Sequence, residues 1–136
     1  MAPEVDPAAY FVRESATRFR PTVHVGGGWD PNEQHIAPAI GLLAHLVEVD
    51  HAARRGDELG LTRLSCDILG TMPMTSVDVE VAVLRPGKTI ELVEARLSQG
   101  GRAAVVARAW LAARYDTANV AGSAFAAMPP RDEMRS

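Results

Sequence analysis

From Ser76 onward the chain alternates polar and apolar positions: Val77, Val79, Val81 and Val83 share one side, and Ser76, Asp78 and Glu80 the other. A period of two over this length predicts a β-strand with one buried face. Two tight turns punctuate the region, Arg85-Pro86-Gly87-Lys88 and Gln99-Gly100-Gly101-Arg102. Strands are therefore expected at residues 75–84, 89–98 and 103–114, joined as an antiparallel meander, the last with Trp110 and a long apolar face. Alternation breaks at Leu92-Val93, which predicts a bulge in the middle strand. Upstream, Leu64, Cys66 and Ile68 alternate with Arg63, Ser65 and Asp67 in a further strand, and Thr71-Met72-Pro73-Met74 turns into the meander.

A helical period precedes the strands. Ile36, Ile40, Leu43 and Val47 recur at spacings of four, three and four, with His45, Glu48 and Arg55 on a more polar side. This stripe predicts a helix from about Ile36 to Arg55, ended by Gly56. Asp30-Pro31-Asn32-Glu33 carries helix-start residues, yet Pro38 would kink a helix begun there, so residues 31–34 are expected to form a short turn. Residues 8–12 and 19–25 are possible short strands, Gly26-Gly27-Gly28 breaks regular structure, and residues 1–7 look like a frayed terminus. After Tyr115 the composition shifts to Ala, Gly, Ser and Pro. The expected organisation is an α+β domain over residues 1–115, followed by a linker-like tail at 116–136.

Composition narrows the function classes. The 136 residues carry a formal net charge of -3, which argues against a general nucleic-acid binder. Cys66 is the single cysteine, so an internal disulfide and a multi-cysteine metal site are excluded, and its strand position suits a small buried hydrophobe. His45 and His51 lack partners at zinc-ligand spacing, so no metal is expected. The triple glycine is not followed by Gly-Lys-Ser/Thr, which leaves it a loop rather than a phosphate cradle. There is no Gly-x-Ser-x-Gly elbow of a serine hydrolase. No uninterrupted apolar run nears the roughly 18 residues of a membrane span, and the first residues lack a signal-peptide pattern; the expected compartment is the cytoplasm.

Five segments, taken in order, carry a resemblance. They are Gly28-Trp29 before Gln34-His35, Ile36-Ala37-Pro38-Ala39-Ile40-Gly41-Leu42-Leu43, Arg63-Leu64-Ser65-Cys66-Asp67, Val81 through Lys88, and Glu94 through Arg102. Together they resemble a hotdog fold, and more specifically the N-terminal half of the bacterial acyl-CoA thioesterase II-like family, whose members join two hotdog repeats in one chain. The resemblance covers residues 19–115, and residues 116–130 resemble the linker into the second hotdog. It implies one long helix wrapped by an antiparallel sheet, an acyl-CoA or other acyl thioester as substrate, and no cofactor. It also implies a homodimer or pairing with a second hotdog, because a lone one leaves a sheet edge and apolar surface uncovered. In two-repeat members the Asp, Thr and Gln of hydrolysis come largely from the second repeat. Single-repeat relatives often carry an acid two turns into the helix, where this chain has Leu42, Leu43 and Ala44.

Thioester hydrolysis needs N–H donors at a helix start to polarise the carbonyl and a carboxylate or polar group to activate water. The resemblance points to His35 and Gln34 at the helix mouth and to Asp67 on its strand as catalytic candidates. His35 is equally a helix cap, and Asp67 equally an exposed carboxylate or a partner for Arg63. Trp29, Ile36 and Gly41 are substrate-binding candidates, Trp29 as an acyl-tunnel wall or a core plug. Arg85 and Arg102, at strand turns, are candidates to meet CoA phosphates, with ordinary surface arginines as the alternative. The expected activity is acyl-CoA hydrolysis, incomplete without a partner hotdog. The alternative is a non-catalytic acyl-thioester-binding or structural subunit; a hydratase would need an acid–His pair that the sequence does not assemble.

Overall fold

The computed structural model describes residues 8–134, so the expected frayed terminus at 1–7 lies outside the described residues. Its strands are β1 (Phe11–Arg13), β2 (Arg18–Pro21), β3 (Gly60–Ile68), β4 (Val77–Arg85), β5 (Ile90–Gln99) and β6 (Arg102–Ala112), with one α-helix, α1 (Ile36–Arg55). The six strands form one antiparallel sheet in the order β1-β2-β4-β5-β6-β3. This is the hotdog arrangement: α1 lies across one face of the sheet, and the meander β4-β5-β6 forms the centre. β3, adjacent in sequence to β4, pairs instead with β6 and becomes an edge.

The helix bounds agree with the apolar stripe. Pro38 sits in the first turn, where its missing N–H has no intrahelical partner to lose, so the helix runs unkinked through it. Leu43, Leu46, Val47 and Ala39 pack against Val93, Ala95 and Leu97 of β5 and Val105, Ala107, Ala109 and Leu111 of β6. Small residues on β6 let the helix approach the sheet closely. By length and mean hydropathy α1 is long and apolar enough to cross a membrane, although His45, Glu48 and Asp50 interrupt its apolar residues. Its apolar face is occupied by the sheet.

Several expectations shift. Residues 19–25 are not one strand: β2 stops at Pro21, and Val23–Val25 form a 3-10 turn because the Thr22 hydroxyl accepts from the His24 N–H and donates to the Ala9 carbonyl. β1 starts later than expected, at Phe11. The bulge opposite Leu92-Val93 belongs to β4, where the register passes from Val83 to Arg85 and skips Leu84. β5 keeps strict alternation there, because Glu91 takes the inward position. Arg63 and Asp67 form no ion pair among the described residues. Four residues along a strand span about 13 Å, beyond the reach of that pair.

Glu91 is the polar centre of the core, 1% exposed. Arg54 donates to it from Nη2 (2.7 Å) and Nη1 (3.3 Å), and Arg55 Nη1 adds a third bond at 3.3 Å. Arg54 is also held by Asp50 (2.8 Å) and Arg55 by Glu58 (2.6 Å), which extends the network to the exposed side of the helix end. Arg55 Nη1 and Nη2 continue to the carbonyls of Gly87 and Lys88. His51 accepts from the Leu59 N–H at Nε2 (3.2 Å), which turns Nδ1 toward Glu91 at 3.5 Å. The Arg54 guanidinium holds the Glu91 carboxyl below the ordinary carboxylate range, against the opposing effect of burial.

Candidate active site

The mouth of α1 opens into a cleft of about 450 Å³. Its lining combines the loop around Gly27 and Trp29, Asp30 and Glu33, the Gln34-His35-Ile36 entry to the helix, and residues 68–72 after β3. Two isolated bridges fasten the loops to each other, Gly26 with Gln34 and Glu33 with Pro73. The His35 N–H donates to the Val25 carbonyl and the Gln34 N–H to the Met72 carbonyl, both at 2.7 Å. These bonds fix the cleft floor.

His35 is the helix N-cap: its Nδ1 accepts from the Ala37 N–H at 3.1 Å. As an acceptor Nδ1 carries no proton, so the ring proton of the capped form is on Nε2. The capping and functional roles of His35 are thus compatible, since the cap occupies one nitrogen and leaves the other as a donor. The cap also consumes the Ala37 N–H, and Pro38 has none, which leaves the Ile36 N–H as the donor at the helix start.

Gln34 is buried, with Nε2 donating to the carbonyls of Pro73 (2.7 Å) and Thr75 (3.0 Å). Gln99 Nε2 reaches the same two carbonyls from β5, at 3.1 and 2.9 Å. Two carbonyl partners fix the orientation of each amide, and both Oε1 atoms are buried without a protein partner. Because the two amides share acceptors, Gln34→Ala and Gln99→Ala are each expected to cost about 1 kcal/mol. The double variant is expected to cost more than the sum of the singles. Urea unfolding of the three variants measures this.

The other candidates separate. Asp67 is on the exposed face of edge strand β3, opposite to Leu64 and Cys66, which pack against the core. It therefore points away from the helix. Cys66 is half-buried, and burial followed by the neighbouring Asp67 pushes its thiol pKa up, so it stays protonated and unreactive. Trp29 lines the cleft but is 97% exposed, so it plugs no core in this chain. Ile36 lines the cleft, whereas Gly41 faces a separate groove with Tyr10, Phe11 and His45. Arg85 bonds the Ile90 carbonyl in the loop that Arg55 reaches from the C-terminal end of α1, remote from the helix mouth. Arg102 lies instead against the cleft rim, its Nη2 donating to the Thr71 carbonyl at 3.1 Å.

The acid missing from the helix has counterparts in the loop before it. Asp30 is occupied, its Oδ1 accepting from the Asn32 N–H and Nδ2. Glu33 lines the cleft and makes no ion pair among the described residues. In the sequence Glu33 reads as part of a helix-start signal, and only its adjacency to Gln34-His35 hints at a site role.

A model of the acyl-CoA thioesterase N-terminal domain matches residues 25–112. No curated protein matches the sequence. Solved structures that share the fold include a conserved protein from Pseudomonas aeruginosa (15% identity, 71% of this chain and 78% of that one, TM-score 0.62). Another is a Bacillus halodurans protein solved with CoA (14% identity, 70% and 64%, TM-score 0.62). A third is a thioesterase from Haemophilus influenzae (9% identity, 75% and 75%, TM-score 0.61). At these identities the likeness is one of fold, while the domain match spans the helix mouth, α1 and all four long strands. The chain belongs to the acyl-CoA thioesterase N-terminal domain family.

Proposed function

We propose that this chain hydrolyses acyl thioesters, acyl-CoA above all, at the mouth of α1. The observation that carries the reading is the cleft in which a helix-start N–H, an imidazole and a carboxylate meet. The thioester carbonyl accepts from the Ile36 N–H and from His35 Nε2, at the positive end of the helix dipole. Glu33 takes a proton from water, whose oxygen attacks the carbonyl carbon. Collapse of the tetrahedral intermediate breaks the C–S bond; the thiolate leaves and recovers the proton, giving a carboxylic acid and a free thiol. Gln34 Oε1 orients the attacking water, and Trp29, Ile36, Leu69 and Met72 border the acyl chain. Asp67 serves only if a partner brings its face toward a cleft.

A partner hotdog completes the site in this reading, either a second copy or a second repeat reached through a linker at 116–136. Support comes from the uncovered edge of β3 and from Trp29, Ile68 and Leu69, which are 97%, 58% and 55% exposed beside the cleft. The compartment proposed for this chemistry is the cytoplasm. The test is release of free CoA from short, medium and long acyl-CoAs by the purified chain, with its mass measured by light scattering. Turnover by a dimer, reduced about tenfold or more in His35→Ala, is expected; no release from any chain length would refute self-sufficient hydrolysis. A non-catalytic acyl-thioester-binding role is favoured by the consumed Ala37 N–H and by Pro38. It predicts a rise in melting temperature with acyl-CoA and no free thiol.

A further inference from the structure

Among the described residues no lysine or arginine lines the cleft itself, and its wall carries Asp30 and Glu33. Arg102 touches this wall from outside the lining, through Thr71. The β5–β6 hairpin turns through Gly100 and Gly101, at φ 54° and 78°, conformations that favour glycine, and delivers Arg102 at the start of β6. From there the guanidinium crosses to the segment after β3. Nη2 donates to the Thr71 carbonyl, and Nη1 lies 2.5 Å from the position that a Cβ on Gly70 would occupy. Gly70 and Thr71 both line the cleft. The missing side chain of Gly70 is thus the seat of the guanidinium. Of the five N–H donors of Arg102, the Thr71 carbonyl takes one, and the group makes no ion pair among the described residues.

We infer that Arg102, seated on Gly70, is the phosphate-reading residue of the cleft, selecting thioesters whose pantetheine arm carries a phosphate. The inference rests on the proposed placement of the thioester at the helix mouth. In that placement the thiol arm leaves the cleft floor over its rim, and the inference sets the arm's phosphate against Arg102 there. A guanidinium with its planar fork unspent suits a phosphate oxygen pair. Coenzyme A and the phosphopantetheine of a carrier protein present the same group.

The test is equilibrium binding of CoA, 4′-phosphopantetheine, pantetheine and a phosphopantetheine-loaded carrier protein to the full chain and its variants. Wild type is expected to bind the phosphorylated ligands about tenfold or more tighter than pantetheine. Arg102→Gln is expected to erase that difference and leave pantetheine binding unchanged, while Arg102→Lys keeps part of it. Gly70→Ala is the independent variant: the backbone accepts alanine, but the Cβ displaces the guanidinium without removing its charge. It is expected to reproduce most of the Arg102→Gln loss. A loss confined to CoA or to the carrier protein identifies the source and supports the assignment. Equal binding of CoA and pantetheine by wild type, or an equal loss of every ligand in Arg102→Gln, overturns it. Arg102-dependent CoA binding without thiol release refutes hydrolysis and leaves this assignment standing; turnover of acyl-CoA indifferent to Arg102→Gln does the reverse.

Discussion

Replacing Glu91 by alanine is expected to lower stability by about 3 kcal/mol, the low end of the range for breaking a buried ion pair. For a domain of this size that is a fall of roughly 10 °C in melting temperature. The cost arises because Arg54 and Arg55 converge on a carboxylate that is 1% exposed, and once Glu91 is gone each retains one acidic partner among the described residues, Asp50 or Glu58. Both arginines keep a solvent-facing side, which limits the penalty. The network ties the last turn of α1 to the loop before β5 through the Gly87 and Lys88 carbonyls, so local opening of that loop is expected to rise as well.

The same carboxylate sets a pH dependence. Its pKa is held below the ordinary range chiefly by the Arg54 hydrogen bonds. A depressed carboxylate stabilises the folded state fully above the unfolded-chain value, about 4.3, and that stabilisation fades as pH falls through the folded value. The stability gap between wild type and Glu91→Gln is therefore expected to be widest near neutral pH and to shrink below about pH 4. Urea midpoints at several pH values measure it. A gap that grows on acidification would show that Glu91 is not the charged partner of the arginines.

Glu33→Gln is expected to slow thioester hydrolysis by roughly 10²–10⁴-fold, the usual contribution of a positioned general base. The substitution is nearly isosteric and keeps the backbone bridge to Pro73 that holds the loop, so the melting temperature is expected to stay within a few degrees of wild type. The loss is expected in kcat and kcat/KM alike, because the proton moves only in the transition state. Asp30→Asn at the same rim distinguishes the two acids. Asp30 caps the Asn32 N–H, and its replacement is expected to disturb the loop more than the rate of the chemical step. Undiminished turnover by the Glu33→Gln variant would transfer the proposed base to Asp30 or to a partner hotdog.

The periodic elements were legible from the chain alone. The stripe Ile36, Ile40, Leu43 and Val47 located the bounds of α1, and the valines of β4 located its buried face, because amphipathic periods report local burial directly. The turn residues Gly87 and Gly100-Gly101 likewise marked both hairpins. The reading failed where a polar group is buried by its neighbours. Glu91 broke an apparent alternation only because a carboxylate was assumed to face water, and the arginines that neutralise it lie 36 and 37 residues away. Its inward position moved the bulge from β5 to Leu84 in β4.

The site divides in the same way. Sequence by itself determined the helix mouth, with Gln34 and His35 at it, since a loop glycine, a turn and a helix start are local features. It also determined the hotdog resemblance, through the order of five short segments. Which carboxylate and which cation join that mouth was decided by tertiary structure. Asp67 and Arg85 are separated from the cleft by the pleat of edge strand β3 and by the length of α1. Glu33 is held by its bridge to Pro73 and by the Gly27 N–H, which donates to its carbonyl, and Arg102 by the bare Cα of Gly70. Strand order is the physical reason. Pairing β3 with β6 rather than with β4 brings the segment after β3 beside both the helix start and the β5–β6 hairpin, a juxtaposition that no spacing along the chain encodes.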